Sequence, residues 1–164
     1  MTRRTTALAA ALSLLPLGQP LLLGSTTALA TAAVVLSPQA AHAQSADEFF
    51  NRGNVKGDLG DYQGAIADYT KAIEINPQDA AAYNNRCWNR YLSSQYKRAL
   101  PDCDKALSID PRSAEAFDTR GDVRSALGDN KGACSDYKKA ISYGYQPRGE
   151  WLNSEEGAWC RNMR

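Results

Sequence analysis

The sequence predicts an all-α protein, a solenoid of three helix-turn-helix units with a C-terminal capping helix. The main evidence for this fold is a repeated segment. The pattern of Gly60–Pro77 recurs 34 residues later in Ser94–Pro111 and begins again at Gly128. Within each copy, apolar residues recur at the spacing of one helix face. A fixed period of this length is typical of stacked supersecondary units, in which each unit buries its apolar face against the next.

The first 43 residues differ from the rest of the chain. They contain no Asp or Glu, Arg3 and Arg4 stand at the start, an apolar run follows, and Ala41–Ala43 ends it. This order is typical of a secretory signal peptide, so we predict one over residues 1–43. An alternative is that Leu21–Leu36 stays uncleaved as a membrane anchor, although a span needs about 20 apolar residues. The two arginines favour either twin-arginine export or an ordinary basic start.

Cleavage near residue 43 would leave an exported chain in the periplasm, in a thylakoid lumen or outside the cell, and an uncleaved leader would leave it membrane-anchored. Without Arg3 and Arg4 the remainder carries 17 Lys and Arg against 18 Asp and Glu. This near-neutral balance argues against a nucleic-acid surface, which needs clustered basic charge. The only histidine, His42, would leave with the leader, and with it the commonest general base and metal ligand.

Residues 44–147 divide into three predicted units, 46–79, 80–113 and 114–147, followed by a capping segment, 148–164. The helical pattern predicts two helices in each unit, over about 46–56, 62–75, 80–92, 96–108, 114–127 and 130–142. The capping segment is predicted to form one short helix. The last unit of a solenoid leaves an apolar face open, and Trp151 and Trp159 suit the task of covering it.

We call the equivalent positions of the three units slots. The residues in these slots resemble those of the tetratricopeptide repeat, a 34-residue unit with aromatic, small and proline residues at fixed positions. The slots of the first unit hold Phe49, Arg52, Gly53, Ala65, Tyr69, Ala72 and Pro77. Those of the second unit hold Tyr83, Arg86, Cys87, Ala99, Cys103, Ala106 and Pro111. Those of the third unit hold Phe117, Arg120, Gly121, Ala133, Tyr137 and Ala140. The resemblance covers residues 46 to about 147 and implies a right-handed solenoid.

Two packing features follow from these slots. Arg52, Arg86 and Arg120 stand where the family usually has leucine, and Asp68, Asp102 and Asp136 recur on the second helices. We expect one arginine–aspartate ion pair within each unit. We also expect the small residues Gly53 and Gly121 to face Ala65 and Ala133 across the paired helices.

The same slots imply a pairing for the four cysteines. Cys87 and Cys103 both fall on the seam within the second unit, which implies a Cys87–Cys103 disulfide. Cys134 falls on the face that meets the terminal segment, which carries Cys160, and this implies a Cys134–Cys160 disulfide. Four reduced, buried thiols are the alternative. A metal site is not expected, because the chain has no Cys-x-x-Cys spacing.

In this family the first helices of successive units line a concave groove that binds extended peptides or partner helices. The groove residues implied here are Phe50, Asn54 and Asp58, then Asn84, Trp88, Tyr91 and Leu92, then Glu115, Asp118 and Asp122. Exposed aromatics such as Trp88 and Tyr91 often become hot spots, although Trp88 could serve packing alone. The acidic third unit favours a basic or apolar partner.

One subclass of the family grips a partner's C-terminal carboxylate with lysines and asparagines. Asn54 and Asn85 match the asparagines of that subclass. The lysines are absent, however, and Phe50 and Glu115 stand in place of basic residues. We therefore expect that this chain does not belong to the subclass.

The function expected from the sequence is that of a non-catalytic, exported scaffold that binds a peptide or helix of another protein. A dedicated assembly or accessory factor of an envelope or lumenal membrane complex is the alternative. A redox-active or hydrolytic enzyme is less favoured, because no nucleophile with a base and no carboxylate pair stands out. We predict no catalytic residue, no metal, no cofactor, no small-molecule substrate and no nucleic-acid partner. Membrane association would follow only from an uncleaved N-terminus.

Overall fold

A computed structural model describes the backbone of residues 38–162 and the side chains of residues 45–162. The predicted signal peptide therefore lies outside the described residues, apart from the backbone of residues 38–43. Those six residues begin the first helix.

Eight helices make up the described part of the chain. They are α1 (Pro38–Asp58), α2 (Tyr62–Ile75), α3 (Ala80–Leu92), α4 (Tyr96–Ile109), α5 (Ala114–Ala126), α6 (Asn130–Ser142), α7 (Gln146–Asn153) and α8 (Ala158–Arg161). The first six form three helix-turn-helix units, with α1, α3 and α5 as the A helices and α2, α4 and α6 as the B helices. Over residues 38–162, no helix has both the length and the apolar character needed to cross a membrane.

Side-chain caps fix where α2, α3, α5 and α6 begin. Asp61 accepts a hydrogen bond from the backbone N–H of Gly64 at 2.9 Å, and Asp129 does the same for Gly132 at 2.8 Å. Asp79 and Ser113 cap α3 and α5 in the same way. Such caps satisfy backbone donors that the first turn of a helix leaves free.

The turn between the A and B helices requires a left-handed residue. Gly60 and Gly128 provide it in the first and third units, with φ of 80° and 85°. In the second unit the equivalent residue is Ser94, with φ of 61°. Because a side chain disfavours this conformation, the tertiary packing of α3 and α4 must hold it in place.

The units stack in sequence, because each A helix packs on its own B helix and each B helix packs on the following A helix. Apolar clusters fill the seams between units. Ala72, Ile73 and Ala82 form the seam between the first two units, and Leu107, Ala116 and Phe117 lie in the next seam. The all-α solenoid predicted from the period is therefore confirmed.

The A and B helices of one unit approach so closely that a single side-chain carbon decides the fit. A Cβ built at Gly121 would lie 2.3 Å from Cε1 of Tyr137, and one at Gly53 would lie 2.8 Å from Cε1 of Tyr69. At both glycines the nearest atoms belong to a tyrosine ring of the B helix, which the sequence analysis did not name, and this ring needs the volume that glycine leaves.

In the second unit a disulfide takes the place of the glycine and the tyrosine. Cys87 and Cys103 are bonded across the same seam, with their Cα atoms 5.5 Å apart, and both side chains are fully buried. They pack with Ala99 and Val123. The pair therefore holds the two helices at close range by a covalent bond rather than by a ring against a glycine.

The terminal segment consists of two short helices, α7 and α8, rather than the one helix predicted. Pro147 lies in the first turn of α7, where its missing N–H costs nothing, so it starts this helix. The Cys134–Cys160 disulfide bonds α8 to α6, with both sulfurs buried beside Tyr137. Trp151 packs on this cluster and meets Trp159 edge-on at 6.0 Å between ring centroids.

The replacement Gly121→Ala should destabilise the fold by about 1–3 kcal/mol, because the added methyl overlaps the buried ring of Tyr137. Gly149→Ala is the matched control, since a Cβ there has its nearest neighbour at 4.0 Å, on Ile141. It should be neutral or stabilising by up to about 1 kcal/mol, because alanine favours a helix. Urea unfolding followed by circular dichroism measures both. Equal stabilities of the two variants would contradict the close approach.

The two disulfides predict that the unfolded, unreduced protein has no thiol that reacts with an alkylating reagent. The double variant Cys134→Ser/Cys160→Ser should lose about 3 kcal/mol of stability, because the bond closes a loop of 26 residues. Hydrogen exchange should then rise in α7 and α8 before it rises in α3. Four reactive thiols in the wild-type protein would refute both bonds.

Candidate partner-binding groove

The A helices form the inner wall of the stack. Helix α1 contacts α3, and α3 contacts α5, so the three lie side by side. Residues that point away from the B helices therefore share one continuous surface. We call this surface, built from α1, α3 and α5, the A-helix groove.

A repeated ion cluster supports this wall from behind. Asp68 receives Arg52 at 2.6 Å and Lys56 at 2.8 Å, and Asp136 receives Arg120 and Arg124, each at 2.8 Å. Asp102 is held in the same way by Arg86 at 2.7 Å and by Arg90. The predicted arginine–aspartate pairs are therefore present in all three units.

Sequence reasoning missed the second cation in each cluster. Lys56, Arg90 and Arg124 lie four residues after the first arginine, on the same face of the A helix. This i, i+4 repeat was visible in the sequence and would have predicted two donors for each aspartate. The aspartates are almost fully buried, so the paired cations compensate a carboxylate that has left water.

The first arginine of a cluster also joins neighbouring units. Arg86 donates to the hydroxyl of Thr70 in the first unit at 3.0 Å, and Arg120 donates to Asp104 in the second unit at 2.7 Å. Arginine has donors pointing in more than one direction, which a leucine at this slot would lack. The departures from the family's leucine therefore add contacts between units.

A pocket of about 350 Å³ opens in the A-helix groove between α1 and α3. We call it the amide pocket. Its lining residues are Asn54, Gly57, Asp58, Tyr69, Asn85, Trp88, Asn89 and Leu92. Three asparagines thus meet one carboxylate and two aromatic rings, those of Tyr69 and Trp88.

The floor of the amide pocket is a hydrogen-bond network. Oδ1 of Asn54 accepts from the hydroxyl of Tyr69 at 2.8 Å and from Nδ2 of Asn85 at 3.0 Å. Burial raises the pKa of Tyr69 to about 12, so its hydroxyl remains a donor at neutral pH. Asn54 is therefore held rigidly, with its carbonyl already engaged from two sides.

One wall of the amide pocket is an aromatic stack. The ring of Trp88 lies on that of Tyr91, with centroids 5.2 Å apart and an interplanar angle of 22°. Tyr91 in turn meets Tyr96 at 5.6 Å. Trp88 remains 39% exposed, whereas Tyr91 packs against the buried disulfide cluster. Trp88 is therefore presented to solvent on a supported platform.

Two acidic residues of the third unit, Asp118 and Asp122, already form ion pairs with an arginine of the same chain. Arg148 of α7 donates to both oxygens of Asp118 and, at 2.8 Å, to Asp122. Its guanidinium lies over the ring of Tyr137, 4.1 Å from the centroid. Burial opposes its charge, but the hydrogen bond with Asp118 and the charge of Asp122 raise the pKa of Arg148 above its ordinary value. Asp118 and Asp122 therefore do not face an open groove.

The other predicted groove residues separate into three places. Asn54, Trp88 and Leu92 line the amide pocket, with Tyr91 beneath Trp88. Asn84 and Glu115 line a second cleft between α3 and α5, together with the turn residues before each of these helices. Phe50 packs edge-on against Tyr69, with centroids 5.8 Å apart. Asn89, which sequence reasoning missed, completes the amide pocket from a slot that holds Val55 and Val123 in the other units.

Comparison with known proteins agrees with this architecture. A family model described as the tetratricopeptide repeat matches residues 46–79. The second TPR domain of Spaghetti (RPAP3), solved with the HSP90 peptide SRMEEVD, is 30% identical, with a TM-score of 0.62; the match covers 64% of this chain and 96% of that domain. The chain belongs to the tetratricopeptide repeat family.

Other solved members of the family share the fold. The Sgt2 TPR domain from Aspergillus fumigatus is 27% identical with a TM-score of 0.58, and the match covers 70% of this chain and 73% of that one. The Arabidopsis OM64 TPR domain is 24% identical with a TM-score of 0.64, covering 73% and 93%. No curated protein matches the sequence.

The ion cluster of the first repeat predicts a dependence of stability on pH. The hydrogen bonds from Arg52 lower the pKa of Asp68 to about 2, despite the opposing effect of burial. Because this value lies below the unfolded value near 4, the pair stabilises the fold fully above pH 4 and loses its contribution as pH falls towards 2. Asp68→Asn should therefore cost about 1–3 kcal/mol at pH 7 and much less at pH 2.

Urea unfolding of wild type and Asp68→Asn at a series of pH values measures this difference. Glu74→Gln is the matched control, because Glu74 is exposed on the next turn of the same helix. It should change stability little at any pH. A constant difference between Asp68→Asn and wild type from pH 7 to pH 2 would show that charge pairing is not the cause.

Proposed function

We propose that this tetratricopeptide repeat protein is a non-catalytic scaffold that binds a segment of another protein in the A-helix groove, centred on the amide pocket. The observation that carries the proposal is Trp88. It is a large aromatic side chain, 39% exposed, that lines a preformed pocket and rests on Tyr91. Rigid aromatics beside a pocket are the residues that most often dominate the energy of a protein interface.

The comparisons support a peptide-binding role. The Spaghetti domain that is 30% identical to this chain was solved with the HSP90 peptide SRMEEVD in place. The human RPAP3 second domain was solved with the HSP70 peptide SGPTIEEVD. Both peptides carry two adjacent glutamates and end in aspartate, so these two domains bind acidic peptides.

The groove of the present protein does not favour such an acidic peptide. Each of the six Lys and Arg side chains described on α1, α3 and α5 is paired with a buried aspartate of a B helix. These six cations therefore point towards the B helices and not into the groove. The partner segment expected here is neutral or basic, with an apolar side chain placed against Trp88 and Leu92.

The third unit narrows the location of the binding site. Arg148 covers Asp118 and Asp122, and the Cys134–Cys160 disulfide holds the segment that carries it. Asp118 and Asp122 are therefore covered, whereas the amide pocket between α1 and α3 remains open. A partner segment that crosses the groove would contact the amide pocket first.

We also propose that the protein works in an exported compartment. Two buried disulfides support this proposal, because disulfides persist in oxidising compartments and are rare in reducing ones. The composition of residues 1–43 supports it independently, since it is that of a signal peptide. Sequencing of the mature N-terminus tests it, and a mature chain that begins at residue 1 or 2 would refute cleavage near residue 43.

Replacement of Trp88 by alanine should weaken binding of the partner by about 30-fold, equivalent to about 2 kcal/mol, because it removes the aromatic anchor of the groove. The partner is first captured from the exported fraction with immobilised protein and then titrated in purified form. Trp159→Ala is the matched control, since Trp159 is exposed to a similar extent, 37%, on the terminal segment.

The control variant should bind as the wild type does, and circular dichroism should show equal helical content in all three proteins. Unchanged affinity of Trp88→Ala would place the binding surface elsewhere. A loss that is equal in both tryptophan variants would point to a general effect on stability instead.

A further inference from the structure

The amide pocket contains a buried acceptor without a donor. Asn89 is only 3% exposed, and its Nδ2 donates to the backbone carbonyl of Asn85 at 2.9 Å. Its Oδ1 is buried and has no hydrogen-bond partner among residues 45–162. An unsatisfied buried acceptor costs about 1–3 kcal/mol, so a donor supplied by a ligand would recover that free energy.

A glycine, Gly57, lies beside this oxygen. A Cβ built at Gly57 would lie only 3.0 Å from Oδ1 of Asn89, and both residues line the amide pocket. The absence of a side chain at Gly57 therefore leaves space beside this oxygen, which is itself buried. In the other two units the slot of Asn89 holds Val55 and Val123, so the acceptor is particular to this place.

The remaining lining of the pocket has acceptor or negative character. Asp58 is an exposed carboxylate at its rim, and within residues 45–162 no ion pair engages it. Oδ1 of Asn54 also lies on the floor, but the hydroxyl of Tyr69 and Nδ2 of Asn85 already occupy it. The face of Trp88 attracts cations through its ring electrons. Among the residues whose side chains the structure describes, no Lys or Arg lines the pocket.

The third unit already holds a cation at the matching place. Asp122 and Tyr137 lie two periods after Asn54 and Tyr69, and the tyrosine hydroxyl donates to the A-helix residue in both units, at 2.8 Å and 2.9 Å. In the third unit Arg148 binds Asp122 and stacks on Tyr137. The same slot pair of this fold therefore receives a positively charged side chain from the element that follows.

We infer that the amide pocket binds the ammonium group of a lysine side chain carried by the partner segment. The ammonium would donate to Oδ1 of Asn89, pair with Asp58 and place its carbon chain on the ring of Trp88. This inference rests on the proposed function and specifies the chemistry of its partner. The lysine would carry the opposite charge to the acidic residues in the peptides bound by the two RPAP3 domains.

Titration of the purified, ¹⁵N-labelled protein with short acetylated and amidated peptides tests the inference. The probe is an alanine pentapeptide with lysine at its centre, and matched peptides carry norleucine or glutamate there. Blocked ends ensure that the only ammonium group is that of the side chain. The signals to follow are the side-chain amide of Asn89 and the indole N–H of Trp88.

The lysine peptide should shift both signals in a saturable manner, and the norleucine and glutamate peptides should not at equal concentration. Asp58→Asn should weaken the lysine peptide about three- to fivefold, because it removes one exposed charge pair. Glu74→Gln, which removes an exposed charge on α2, should leave the affinity unchanged. High salt should weaken binding to the wild type and have a smaller effect on Asp58→Asn.

Three outcomes would overturn the inference. Equal shifts with the norleucine peptide would show a purely apolar pocket, stronger shifts with the glutamate peptide would show an anion site, and no shift with the lysine peptide would show no ammonium site. If partner binding still depends on Trp88 in any of these cases, only the lysine assignment fails. If Trp88→Ala also binds the partner normally, the proposed function fails as well.

Discussion

The structure depends on one close approach, the crossing of the A and B helices within each unit. At this crossing a glycine backbone and a tyrosine ring share a space that has no room for another carbon atom. The middle unit meets the same constraint with a disulfide between Cys87 and Cys103. Because the separation of the helices is set here, the hydroxyl of each tyrosine reaches across to the groove side, where it holds Asn54 or Asp122.

The placement of the charged side chains follows from the same close approach of the A and B helices. Helices that approach closely place their long cations over the partner helix, where a buried aspartate receives two of them in each unit. This arrangement removes positive charge from the groove. The groove is then left to uncharged amides, to aromatic rings and to the carboxylates of Asp58 and Glu115. A tetratricopeptide repeat fold can therefore keep its architecture and change the sign of its binding surface.

Much of the fold could be predicted because it repeats. Helix bounds, unit stacking and the arginine–aspartate pairs recur at fixed slots. An ambiguous position in one unit can therefore be interpreted from the same slot in the other two. The capping segment was harder, since it occurs once and the link Ser154–Gly157 between α7 and α8 is held by contacts within the segment itself. The tyrosine ring beside Gly53 was also missed, because slot patterns show which residues are small without showing which ring lies against them.

The groove shows the same limit in a more instructive form. Family slots correctly named residues on the A helices, yet they gave no information on which of them the chain itself would occupy. Arg148 lies beyond the last repeat, and its approach to Asp118 and Asp122 depends on how α7 packs against α5 and α6. Conversely, the sequence analysis passed over Asn89, whose slot holds Val55 and Val123 in the other two units. A polar residue at an apolar slot gains importance only when its oxygen is seen to be buried, unpaired and facing a pocket.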